Sequence, residues 1–412
     1  MSSQRRVVVT GIGLCTPLGQ SLPELMENLL AGRSSVQVMQ DWEKVGLSTR
    51  LASPVLNFDE QQIPRQIRRS MSRVSLFAAA STGRAIRDAD LTEDLVRSPR
   101  TGISYGSTMG GTIALENYYR SAAATGNFIN GVMSTTFLQI MSHTCAANIA
   151  VAFNIPGQVI ASCTACAAGT QAIGFGYEAI RFGRTDRMIC GGAEELSSAV
   201  VGVFDVMRAT STKFNDRPSM TPRPFGADRD GIVVGEGAGT LVLEEYEMAK
   251  ARGARIYCEI VGFSTNTDAS HMTNPSSQGM STVMEGALRD ANLLPESVSY
   301  VNAHATATTV GDIAESTAIA RVFGDKMRVS SLKGHFGHLM GACGAVETAA
   351  SIGMMNTSVL VPTLNLTEVD ENCAKLDYIR LEPRKAQINY FVKNSFAFGG
   401  INATLVIART PQ

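Results

Sequence analysis

Short apolar runs closed by glycine or hydroxyl-rich turns alternate along this chain with longer stretches of helical spacing, the pattern of an α/β fold. The first run, Val7-Val8-Val9-Thr10-Gly11-Ile12-Gly13, reads as a short buried strand ending in a glycine turn. It follows a basic start, Met1 to Arg6, but is too short and too β-branched for a signal peptide. A similar phrase returns at Arg255-Ile256-Tyr257-Cys258-Glu259-Ile260-Val261-Gly262-Phe263. Each half then carries a strand, a short turn and a Gly/Ala-rich helix. In the first half these are Ile160-Ala161-Ser162, Cys163-Thr164-Ala165-Cys166 and the helix opened by Ala167-Ala168-Gly169. In the second, Val329-Ser330-Ser331 leads through His338 to Gly341-Ala342-Cys343-Gly344-Ala345-Val346-Glu347. The matching order predicts an internal duplication, with halves at 1–250 and 251–412. Residues 107–155 and 200–230 lack a counterpart and are expected to cover a site and build an interface. No Pro/Ser-rich linker separates the halves, so one fused body is expected.

Composition narrows the function. A formal net charge of −1 argues against a global nucleic-acid binder. No apolar run approaches the roughly 18–20 residues of a membrane span. Eight cysteines (Cys15, Cys145, Cys163, Cys166, Cys190, Cys258, Cys343 and Cys373) are scattered through apolar segments, unlike a secreted disulfide framework. A reduced, cytoplasmic setting is the expectation.

Cys166 falls after a strand, at the start of a small-residue helix, where the helix N-terminus favours thiolate. Taken alone, a cysteine there is more often a buried packing residue. Cys163, on the strand side of the same turn, is expected to be a buried thiol. Of the five histidines, His304 lies where Val301-Asn302-Ala303 empties into small hydroxyl residues, and His338 closes Lys333-Gly334-His335-Phe336-Gly337. Two histidines at strand ends, with a helix-start cysteine, predict a convergent site. A zinc site is the competing reading; the wide spacing, with no Cys-x-x-Cys or His-x-x-x-His pair, speaks against it.

The segments Cys163-Thr164-Ala165-Cys166-Ala167, Val301-Asn302-Ala303-His304, Lys333 through Ala342, and Asn394-Ser395-Phe396-Ala397-Phe398-Gly399-Gly400 closely resemble the elongating β-ketoacyl–acyl carrier protein synthases. So do Arg6 through Gly13 and Asp228-Arg229-Asp230-Gly231 through Gly239, and the order is kept over the whole chain. The resemblance implies the duplicated thiolase fold, an α/β architecture of five layers (αβαβα), and usually a dimer. It implies that Cys166 accepts an acyl chain from an acyl carrier protein, with main-chain N–H groups of Cys166 and Phe398 as the oxyanion hole. Gly399 and Gly400 suit a loop that brings its backbone to the sulfur, and Phe398 matches the family's gating aromatic; Phe396 reads as core. His304 and His338 would hold the enolate formed as malonyl thioester loses carbon dioxide. Lys333 and Glu347 match a supporting pair. Thr306 and Thr308 resemble the threonines that bind the phosphopantetheine arm, which arrives on the carrier, so no resident cofactor or metal is implied. Met109, Thr136 and Phe137 fall in the region that lines the acyl pocket and reaches across the dimer interface. Arg65, Arg68 and Arg69, in the densest basic stretch, together with Arg208 and Lys213, fall where the family docks its acidic carrier near the pocket mouth.

Several positions depart from the family pattern. Ala305 stands where glycine is usual, Thr309 for proline and Gly226 for aspartate, and His335 lies close enough to His338 to be expected to perturb it. With Cys163, these substitutions suggest a specialised branch, such as synthases of polyene or polyketide-like chains. A biosynthetic thiolase would need a second active-site cysteine, for which Cys343 is the sole candidate, and an initiating synthase would carry Asn in place of His338. The competing class is a non-catalytic chain-length-factor-like partner, which lacks the nucleophile. A homodimer, or a heterodimer with such a partner, is expected.

Overall fold

The computed structural model describes residues 4–129 and 132–410; Met1, Ser2 and Ser3 of the basic start lie outside the described residues. The apolar runs form eleven strands of one continuous sheet. They are β1 (Val7–Cys15), β2 (Thr101–Gly106), β3 (Val159–Ser162), β4 (Arg187–Glu194), β5 (Gly237–Glu245), β6 (Cys258–Thr267), β7 (Tyr300–Asn302), β8 (Arg328–Ser330), β9 (Asp377–Tyr378), β10 (Tyr390–Ala397) and β11 (Ile401–Ala408). Their order is β9-β8-β7-β10-β11-β6-β1-β5-β4-β2-β3. Outward from the β1–β6 junction the chain repeats itself, β1-β5-β4-β2-β3 on one side and β6-β11-β10-β7-β8 on the other. The pairing sense repeats too: the first two steps outward are antiparallel and the next two parallel in each half.

The helices that cover the sheet and frame the site include α1 (Arg73–Asp88), α2 (Thr112–Thr125), α3 (Thr144–Phe153), α4 (Ala168–Arg181), α5 (Ser198–Val206), α6 (Ser277–Asp290), α7 (Thr309–Phe323) and α8 (Cys343–Thr357). Helices α1 and α3 cover one half-sheet, α6 and α7 the other, and α4 and α8 lie between them, giving five layers. Strands such as β1 and β5, buried at every residue, have no polar alternation because both faces are covered. The central pair can approach closely because its crossing is lined with glycine. A Cβ at Gly344 would fall 2.2 Å from the Thr170 nitrogen, and one at Gly169 would fall 2.8 Å from the Gly341 oxygen. This crossing brings the N-terminal ends of α4 and α8 together. Among the described residues no helix is long and apolar enough to cross a membrane.

Candidate active site

At the end of β3 the chain turns sharply. Ala165 adopts φ +47°, and residues Ala165–Ala167 form a single 3-10 turn leading into α4, with Cys166 at its centre and 7% exposed. The equivalent turn before α8 has Met340 at φ +50°, with Gly341 in the place of Cys166. One half thus carries the thiol, and the other leaves room for it. Cys163 is exposed, contrary to the buried thiol expected there, and its Sγ–H donates to the Ser142 carbonyl at 3.2 Å. The cause is topological: β3 is the open edge of the sheet, and a residue just beyond it has nothing packed outside it.

His338 reaches Cys166 from the second half, its Nε2 3.0 Å from Sγ. The Met340 main-chain N–H donates to His338 Nδ1 at 3.1 Å, so Nδ1 is the bare nitrogen and the neutral ring carries its proton on Nε2, facing the sulfur. The Cys343 sulfur lies 3.1 Å from the same Nδ1. His304 stands edge-on to His338, ring centres 5.3 Å apart, and among the described residues its buried Nδ1 has no hydrogen-bond partner. Its backbone is held by Glu315, whose carboxylate accepts the N–H of His304 at 2.8 Å and of Ala305 at 2.6 Å.

Behind these groups lies a fully buried ion cluster. Glu347 meets Lys333 Nζ at 2.7 Å and Lys393 Nζ at 2.8 Å, and all three side chains are wholly enclosed. Two ammonium groups against one carboxylate leave a net positive charge beside the histidines. Burial first, then Lys333 and Lys393, hold both imidazoles well below the ordinary histidine range, so they are neutral N–H donors at neutral pH. Burial pushes the Cys166 thiol up to about 12, with Lys333 pulling against it. The helix start alone suggested a thiolate; burial outweighs it, and the resting residue is a thiol. Iodoacetamide alkylation of Cys166 is therefore expected to accelerate about tenfold per pH unit between about pH 7 and 9. A plateau near neutrality would show a thiolate instead.

The donor atoms of Cys166, His304 and His338 lie within 4.8 Å of one another, so wide spacing in sequence does not by itself exclude a metal. The stronger objection is electrostatic, because the cluster behind them is cationic and both histidines feel it.

Two cavities meet at the sulfur. One, of about 750 Å³, is lined by Thr306, Thr308, Thr309, Arg208, Lys213 and both histidines, among others. The Thr306 and Thr308 hydroxyls are 3.1 Å apart. The second, of about 720 Å³, runs past Met109 along α2 and α5, with Leu115, Val203 and Phe204 in its walls. Cys166, Phe204 and Phe398 border both. Phe398 sits in the three-residue loop between β10 and β11, with Gly399 at φ +87° and Gly400 at +68°. Its ring stacks on Phe204 at 5.7 Å and is 41% exposed, so the aromatic pair divides the cavities with little packed against it. Among the described residues no main-chain acceptor meets the N–H of Cys166 or of Phe398. Phe396 is buried, as read from sequence, with its ring 6.2 Å from that of His304.

Other expected residues lie elsewhere. Thr136 and Phe137 do not line this chain's own cavity: they open a short helix, Thr136–Ile140, that leaves Phe137 exposed on the outer surface. Arg65, Arg68 and Arg69 do not line the entrance that Arg208 and Lys213 share. Their segment is anchored by Ile67 in a small apolar cluster with Ala152 of α3. His335 does not act on His338. Its Nδ1 is 3.1 Å from the Arg33 carbonyl oxygen and its Nε2 3.0 Å from that of Pro362, because Gly337, at φ +69°, turns the chain between the two rings. Gly226 is away from both cavities, and its neighbour Asp228 pairs with Arg223 at 2.6 Å.

Three site residues went unread in the sequence. Lys393 lies in the buried middle of β10, directly after the apolar Tyr390-Phe391-Val392, and a lysine closing such a run is the available signal. Glu315 and Asp312, three apart on α7, are both fully buried. Asp312 accepts the Ala307 N–H at 3.2 Å, which holds the loop after His304, and also accepts the Phe225 N–H at 2.7 Å and lies 3.7 Å from Arg229.

This geometry finds its match among known proteins. The profile of the β-ketoacyl synthase N-terminal domain fits residues 4–249, and that of the C-terminal domain fits residues 257–367. The chain belongs to the β-ketoacyl synthase family. It is 38% identical to the 3-oxoacyl-[acyl-carrier-protein] synthase 2 of Coxiella burnetii, over 98% of this chain and 99% of that one. A β-ketoacyl synthase from Burkholderia phymatum superposes with a TM-score of 0.96 at 47% identity, covering 99% of this chain and 100% of that one. The ishigamide ketosynthase/chain length factor gives 0.93 at 32%, again over 99% and 100%. A type II polyketide synthase ketosynthase, solved with its acyl-carrier protein and a bound hexaketide, gives 0.91 at 30% over the same shares. The duplicated thiolase fold is thus that of solved ketosynthases.

Proposed function

We propose that the chain elongates acyl thioesters by decarboxylative condensation with malonyl–acyl carrier protein. The observation that carries this is the Cys166–His338 contact at 3.0 Å, with His304 alongside, where two cavities meet. In the first step Cys166 Sγ attacks the acyl thioester carbonyl. The oxyanion is met by the N–H groups of Cys166 and Phe398, and the pantetheine sulfur leaves carrying the thiol's proton. Malonyl thioester then enters past Thr306 and Thr308. Its carboxylate departs as carbon dioxide, and the electron pair remains as an enolate whose oxygen accepts N–H bonds from His304 and His338. The carbanion attacks the acyl-Cys166 carbonyl. A carbon–carbon bond forms, the carbon–sulfur bond breaks with its electron pair on sulfur, and the Cys166 thiolate takes up one proton from water to restore the thiol. A non-catalytic chain-length-factor role does not use this complete Cys-His-His set.

Partner readings follow the same family logic. Arg208 and Lys213 suit a carrier at the entrance, and Arg65, Arg68 and Arg69 extend the docking surface if a second subunit adjoins it. Such a subunit fits the open β3 edge and the exposed Phe128, Ile129, Met133 and Phe137, whose reach would close the neighbour's acyl pocket. That subunit is either a second copy or a chain-length-factor-like chain, and the ishigamide ketosynthase/chain length factor supports the latter; a specialised product of polyene or polyketide type is proposed on the departures from the family pattern alone. The halves 1–250 and 251–412, and a cytoplasmic location for a chain with eight free cysteines, belong to the same reading.

The test is intact-mass spectrometry after incubation with a panel of acyl-carrier thioesters, wild type beside Cys166→Ala. An acyl increment on wild type alone is expected, and the best-loading chain identifies the substrate. Equal increments on both proteins would place the nucleophile elsewhere.

A further inference from the structure

Cys343 is the one buried thiol that touches the catalytic apparatus without a part in the chemistry above. It opens α8, is fully buried, and among the described residues its sulfur has His338 Nδ1, 3.1 Å away, as its sole hydrogen-bond partner. That nitrogen already accepts the Met340 N–H at 3.1 Å, so it bears no proton, and a contact with sulfur can only be S–H donating to nitrogen. The thiol is available as a donor because burial, reinforced by Glu347, keeps it protonated far above the usual cysteine range.

We infer that Cys343 is a positioning residue for condensation: its S–H, with the Met340 N–H, occupies Nδ1 of His338, holding the ring neutral with its proton on Nε2 toward Cys166 and the substrate. The physical reason is the asymmetry between the two protonation states. Imidazolium would place a proton on Nδ1, against two donors that would both have to turn away or go unpaired, whereas the neutral ring satisfies both. A hydrogen bond to the neutral form disfavours the charged one. Other groups facing this ring act alongside it. Lys333 and Lys393 oppose its charging, and Glu347, which they neutralise, sits beyond them. His304 packs edge-on, and Cys166 occupies Nε2. Glu194 accepts the Gly341 N–H at 3.1 Å and so fixes the turn on the far side. Among the side chains facing this ring, Cys343 alone meets the nitrogen where the second proton would go, beside the Met340 main-chain N–H.

The inference rests on the proposed condensation reading, and its test separates the two. Malonyl–acyl carrier protein decarboxylation is followed against pH for wild type, Cys343→Ala and Cys343→Ser, with ¹⁵N-histidine NMR of His338 in each. Loss of the S–H donor in Cys343→Ala is expected to raise the acid limb of the profile by roughly one pH unit, about the strength of one hydrogen bond. The His338 ¹⁵N shifts should move toward imidazolium over the same range, and the serine variant, which keeps a donor, should restore both. A residue that merely fills space would lower the rate at every pH and leave the limb in place, and that result overturns the inference. Should wild type itself fail to decarboxylate malonyl thioester, the condensation reading falls first.

Discussion

Glu347→Ala is expected to destabilise the folded chain by about 3–5 kcal/mol, since it strands two ammonium groups in a wholly buried site. The unfolding midpoint in urea should fall accordingly, and Glu347→Gln should fare nearly as badly, because an amide fills the space but cannot neutralise Lys333 or Lys393. The charge dependence separates this from ordinary core loss. Pairing Glu347→Gln with Lys393→Met removes one cation along with the anion and should recover much of the stability. If the glutamine variant proves as stable as wild type, the cluster is not held by its charge. The cluster also lies behind the histidines it keeps neutral, so damage to stability and to chemistry should appear together.

His338→Ala is expected to cut malonyl decarboxylation by about 10²–10³-fold, the usual effect of removing one preorganised donor from a developing oxyanion. The acyl-enzyme should still form, because the N–H groups of Cys166 and Phe398 remain. Mass spectrometry would then show a loaded Cys166 that fails to turn over, and carbon dioxide release measures the loss directly. If loading fails instead while decarboxylation continues, the roles assigned to Cys166 and His338 are wrong. His304→Ala should give the same split, as its place in the entrance beside His338 makes it the partner donor.

The residues legible in the sequence share a property: each sits where the pattern changes, at a strand end or a helix start, among small side chains. Cys166, His304 and His338 were found that way, whereas the Gly399-Gly400 loop came from the family resemblance. Lys393 and Glu315 were not, because a charged residue inside a strand or helix reads as its solvent face until the covering layer is known. The error at Cys163 has the same origin. An apolar turn residue looks buried, but whether it is depends on β3 being the edge strand, which is a matter of sheet order. His335 misled because closeness along the chain suggested closeness of rings, and one left-handed glycine separates them.

The chain by itself determined the duplicated architecture, through repeated local patterns that each half can express on its own, and which three side chains, Cys166, His304 and His338, meet at one point. The tertiary structure decided what those side chains are. It set Cys166 as a thiol and both imidazoles as neutral by burying them against a cationic cluster drawn from distant segments. It also placed Cys343, a packing residue on its own helix, against the bare nitrogen of His338. Local pattern is encoded by neighbours in sequence; protonation is set by neighbours in space, and here these come from both halves of the chain.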